Sequence, residues 1–69
     1  MDLPEDKLHR VADARVLRET ERGGLLVDCD GLEVWVPRSQ VDDKSEVWRE
    51  GDEGELVIPL WLAEDRGLA

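Results

Sequence analysis

Between Leu25 and Val36 apolar and polar side chains alternate around a central Asp30-Gly31, and this stretch restricts the fold more than any other. Leu25, Val27 and Cys29 alternate with Leu26, Asp28 and Asp30, the period-two pattern of a half-buried strand. Asp-Gly supplies the two positive-φ positions of a tight type I′ hairpin turn. Beyond it, Leu32, Val34 and Val36 alternate with Glu33 and Trp35. The pattern predicts a hairpin, with Cys29 as a small buried apolar side chain and not a reactive thiol. Arg22-Gly23-Gly24 makes a second turn, so Val11–Thr20 would complete a three-stranded meander. That segment is rich in Ala, Arg and Glu, which favours helix, and Gly23 would serve as its C-cap. Its apolar residues form no helical stripe, however, and Ala12, Ala14 and Val16 sit at strand spacing. A strand is expected.

Residues 1–10 read as a loosely ordered lead-in with a helical turn starting near Pro4, and residues 11–69 as one small β-rich domain. Pro37 lacks a ladder donor and ends the third strand. A turn or short 3-10 segment follows over Arg38–Lys44 with Val41 inward, then a short strand Val47–Arg49, a turn at Glu50–Gly54 and a last strand Leu56–Ile58. Pro59 opens a helix Leu60–Arg66, with Gly67 and Leu68 as its C-terminal stop, and Trp61 is expected to dock on the sheet. The fold class is mainly β, at the border of α+β: an SH3-like or OB-like twisted sheet or partly open barrel of four or five strands, with a short C-terminal helix.

A chain of 69 residues buries only about 60% of its unfolded surface. Trp35, Trp48 and Trp61, its only aromatics, are therefore read first as core. Trp35 faces away from Val34 and Val36, so it is either covered by another element, the expected case, or exposed beside Arg38 as an interface anchor.

Eighteen acids against nine bases leave a net charge of −9. The excess is sharpest over 42–55, where Asp42, Asp43, Glu46, Glu50, Asp52, Glu53 and Glu55 face Lys44 and Arg49. Such a field repels nucleic-acid phosphates and anionic lipid and attracts basic protein surfaces. No stretch approaches the ~20 apolar residues that span a bilayer. With one cysteine and no recognisable leader, a cytoplasmic setting is expected. Nucleophilic catalysis lacks a base, because the one His, His9, falls in the loosely ordered lead-in and not beside Ser39 or Ser45. The acidic turns lack the spacing of a calcium loop. The chain reads as a non-enzyme without metal or cofactor. Arg10, Arg15, Arg18 and Arg22 are expected to be neutralised by Asp13, Glu19 and Glu21.

The run Trp35-Val36-Pro37-Arg38-Ser39-Gln40-Val41, with Asp42-Asp43, Glu46-Val47-Trp48, Gly51-Asp52-Glu53-Gly54, Trp61-Leu62-Ala63-Glu64 and Gly67-Leu68, resembles a group of short uncharacterised proteins encoded by bacteriophages and prophages. The likeness spans about residues 12–68 and implies a phage context without a particular chemistry. The same run looks like the last strand and turn of SH3 domains, but Gln40 replaces the aromatic of a polyproline groove. The expected function is a phage-type accessory protein that binds another protein through the acidic segment. Asp42, Asp43, Glu46, Glu50, Asp52, Glu53 and Glu55 form its contact surface, with Trp48, Trp35 and Arg38. A sharper form is a nucleic-acid mimic that blocks a basic host-defence or DNA/RNA-binding protein, as anti-CRISPR proteins do. The alternatives are an OB-like nucleic-acid module using Trp35 with Arg15, Arg18 and Arg38, and a homodimer that buries Trp35.

Overall fold

A computed structural model describes residues 3–69. After a 3-10 turn at Glu5–Lys7 come β1 (Leu8–Glu19), β2 (Gly24–Cys29) and β3 (Leu32–Pro37). A 3-10 turn at Arg38–Gln40 and an irregular connection lead to β4 (Glu53–Pro59) and helix α1 (Leu60–Asp65). The four strands are antiparallel in one open sheet of order β3-β2-β1-β4, compatible with the small SH3-like and OB-like class.

The hairpin forms as its pattern predicts. Asp30 has φ 54° and Gly31 φ 90°, the left-handed pair that matches the twist of the flanking strands. Leu25, Val27, Cys29, Val34 and Val36 point inward and are buried. Leu32 does not join them: at the hairpin tip it lies beyond the covered part of the face and is 45% exposed.

β1 is a strand, and it begins at Leu8, so the last three residues assigned to the lead-in belong to the sheet. Two bulges interrupt its alternation. Val11 pairs with Leu56 and Ala14 with Gly54, so Ala12 and Asp13 together stand opposite Glu55. Val16 pairs with Val27 and Arg18 with Leu26, which leaves Leu17 as an extra residue. A bulge changes the parity of the inward positions. Val11, Ala14 and Val16 therefore all reach the core, while Ala12, expected inward, is exposed.

The core is aliphatic. Leu25, Val27, Val36, Val47, Leu56, Val57, Ile58 and Ala63 have no exposed surface. α1 contributes Leu62 and Ala63, and its end is legible in its sequence. Gly67, at φ 79°, donates to the Glu64 carbonyl (3.2 Å) and Leu68 to the Ala63 carbonyl (2.8 Å), the paired bonds of a Schellman stop. Leu68 packs on the core beside them.

Two tryptophans depart from their expected places. Trp61 is 58% exposed and Trp35 46% exposed. A six-residue helix offers the core little more than one turn, and Leu62 and Ala63 occupy it, so Trp61 is turned outward. Trp48 alone packs against the core, half-buried, with its indole N–H donating to the Ser45 carbonyl (3.0 Å). Trp61→Ala should change unfolding free energy by less than about 0.5 kcal/mol, as at exposed sites. Trp48→Ala should lower it by about 2–3 kcal/mol, near the lower bound for buried aromatics. Urea denaturation of both variants checks the difference.

Candidate functional site

The acidic segment lies mostly within the connection from β3 to β4, between the two edge strands of the sheet. Val41 (7% exposed) and Val47 (0%) anchor it in the core. The backbone N–H groups of Asp42 and Glu46 donate to the β4 carbonyls of Val57 (2.8 Å) and Glu55 (2.7 Å). The buried Ser45 hydroxyl adds a bond to the Glu55 carbonyl (3.1 Å). Loop backbone thus covers the outer edge of β4, which would otherwise be open to pairing.

The strand expected at Val47–Arg49 is absent, for a visible reason. One carboxylate oxygen of Asp52 accepts the N–H groups of both Trp48 (2.8 Å) and Arg49 (2.9 Å). Donors that a ladder would need are satisfied within a tight turn, the competition that short polar side chains offer to regular structure. The same two bonds hold the Asp52 carboxyl below its ordinary pKa, and the charge of Arg49 adds to them.

Most of the acids serve the fold as well as the surface. Asp42 is nearly buried and accepts the Lys44 N–H (3.0 Å). Glu46 accepts the Glu55 N–H (2.8 Å). Glu50 receives the Glu19 N–H (3.3 Å), and Glu19 returns the contact to the Glu50 N–H (3.4 Å). Glu53 pairs with Arg15 (3.2 Å) and Glu55 with Arg10 (2.6 Å). Among the described residues, Asp43 alone of the seven has no such partner.

The early arginines are therefore neutralised in part, but not by the acids nearest in sequence. Arg10 binds Glu5 (3.0 Å) and Glu55, which raises its own pKa and lowers that of Glu5. Glu19 is taken by Arg38. Arg18 and Arg22 have no ion pair among the described residues.

Arg38 does not lie free beside Trp35. Its N–H donates to the Gly23 carbonyl (2.6 Å) and its Nε to the Trp48 carbonyl (3.2 Å). It ties the β1–β2 turn to the acidic connection. The contact at Trp35 that sequence did not reveal is Arg66, whose Nε donates to the Trp35 carbonyl (2.7 Å). The Trp35 ring lies over Gly24, where even a Cβ would approach it to 3.7 Å. Trp35 pairs across the strands with Leu26, and Leu26 with Arg18. Trp35 and the acidic connection are thus separate surfaces.

Cys29 is 4% exposed, and burial followed by the nearby Asp28 charge pushes its thiol up to about 11. Such a thiol is protonated and unreactive at neutral pH. Among the described residues no three His, Cys, Asp or Glu side chains gather as a metal site, and no helix is long and apolar enough to cross a membrane. The chain matches no protein-family model, no curated protein and no solved structure.

Because Asp52 has a depressed folded pKa, its contribution is present above the unfolded value of 3.8 and is lost as pH falls through the folded one. Asp52→Asn should therefore lower the thermal midpoint at pH 7 and flatten its decline below about pH 4. Wild type and variant should converge only once the pH has fallen through the depressed folded pKa of Asp52. Thermal melts followed by circular dichroism between pH 7 and pH 2 measure this.

Proposed function

We propose that the chain is a non-enzymatic, phage-type accessory protein that binds another protein through its acidic surface. The partner is one whose basic surface serves to bind nucleic acid, and the activity is its inhibition by charge imitation. The observation that carries this reading is the bracing of the acidic connection. Val41 and Val47 anchor it, and Asp42, Ser45 and Asp52 tie its backbone. The exposed side chains of Asp43, Glu46 and Glu50 are thereby displayed from a backbone of fixed shape. Ordering a loop on binding is a large part of the cost of association, and a braced loop has met it in advance. The net charge of −9 supplies long-range steering toward a basic surface, the half of the interaction that salt screens.

Asp43, which has no side-chain partner among the described residues, and Glu50, whose carboxylate accepts a long bond from the Glu19 N–H (3.3 Å), separate binding from folding best. Immobilised protein should capture a basic, nucleic-acid-binding protein from bacterial lysate. The association rate of that purified protein should fall by about tenfold or more between low and high salt. Asp43→Lys with Glu50→Lys should slow association several-fold and flatten that dependence. An association rate indifferent both to salt and to the double reversal would exclude the acidic surface as the contact.

A further inference from the structure

The outer face of the β1–β2–β3 sheet carries a second surface, and its side chains complement themselves under a two-fold rotation. Two cross-strand rows define it. In the first, Trp35 on β3 pairs with Leu26 on β2, and Leu26 with Arg18 on β1; in the second, Glu33 pairs with Asp28, and Asp28 with Arg15. Trp35 is 46% exposed and Arg18 has no ion pair among the described residues. Arg15 and its partner Glu53 are each more than 60% exposed, so that pair is weak and exchangeable.

The geometry points to face-to-face self-association of two copies about an axis running along β2. Such an axis sets β3 of each protomer over β1 of the other. The registers then bring Trp35 against the partner's Arg18 and Glu33 against the partner's Arg15, each twice. Leu26 meets its own copy at the centre. Guanidinium over an indole face is a favourable contact, and an isologous interface needs this self-complementarity. Stacked sheets with aligned strands are an ordinary packing. Asp28 meets its copy near the axis, where it accepts the Gly31 N–H (2.9 Å) and is flanked by the Arg15 of both protomers. Edge-to-edge pairing through β3 is opposed by Arg66, which occupies the Trp35 carbonyl, and by Pro37 at the strand end. With the β3 edge so occupied, the outer face of the sheet is left open to contact.

This inference does not rest on the acidic-surface reading. A monomer that still captures a basic protein, or a dimer that captures none, tells the two apart. Sedimentation of the purified chain is run at about 0.15 M salt, where charges are screened beyond about 8 Å and the −9 monopoles repel least at long range. The mass should double as concentration rises from about 10 μM to about 500 μM, by mass action. Trp35→Ala, Arg15→Glu and Glu33→Arg should each remove most of the dimer, and Arg15→Glu combined with Glu33→Arg should restore it. If Trp35→Ala does not fold, the charge series decides alone. A wild type monomeric throughout the range, or a double reversal that fails to recover the dimer, overturns the proposal. So does a monomer whose Trp fluorescence is quenched by oligothymidylate, which would give the face to single-stranded nucleic acid.

Discussion

A single four-stranded sheet has one apolar face and no second sheet to lay on it, and the rest of this structure follows from that shortage. Domains are built of at least two packed layers. Here the second layer is assembled from what is left: a helix of six residues and the connection from β3 to β4. Val41 and Val47 from the connection and Leu62 and Ala63 from α1 close the inner face over Leu25, Val27, Val36, Leu56 and Ile58. The connection is consequently part of the core, although it contains neither helix nor strand beyond the 3-10 turn at its start.

Its acidity has to be understood in that light. A loop that must run across a sheet without ladder partners leaves many backbone donors to satisfy, and short acids satisfy them. Asp42 and Asp52 each accept loop N–H groups, and Glu46 accepts one from β4. Glu53 and Glu55, already in β4, neutralise arginines of the neighbouring strand. Charge that reads in sequence as an undivided acidic surface is therefore divided in space. Part of it organises backbone, part pairs with β1, and the remainder faces water from a held framework. The two proposed contact surfaces lie on different parts of this framework, one on the connection and one on the outer sheet face.

How far the sequence revealed this depends on the range of the interaction concerned. The hairpin was legible because alternation and Asp30-Gly31 are local signals, and the helix stop because Gly67 and Leu68 follow it directly. The bulges of β1 were not, since an extra residue is defined only against the partner strands, and Ala12 was misplaced for that reason. Trp61 was misread because a one-turn helix has no stripe to reveal its inward side. The short strand at Val47–Arg49 failed because Asp52, several residues on, takes its donors. Arg10 with Glu55 and Arg38 with Glu19 are pairs that only the tertiary fold creates. Of the candidate contact residues, local sequence located the acidic segment but not which acids were already engaged, and it set Arg38 beside Trp35 where the fold sets Arg66.

The claim on which the account depends is that the connection belongs to the cooperative core. Native-state hydrogen exchange tests it residue by residue. The amides of Asp42, Glu46 and Trp48, bonded to Val57, Glu55 and Asp52, should exchange only through global unfolding. Their opening free energy should match that of Val27 in β2 and the value from urea denaturation. Loop amides that exchange near unstructured rates while the β2 amides stay protected would contradict it, and would reduce the second layer to α1 alone.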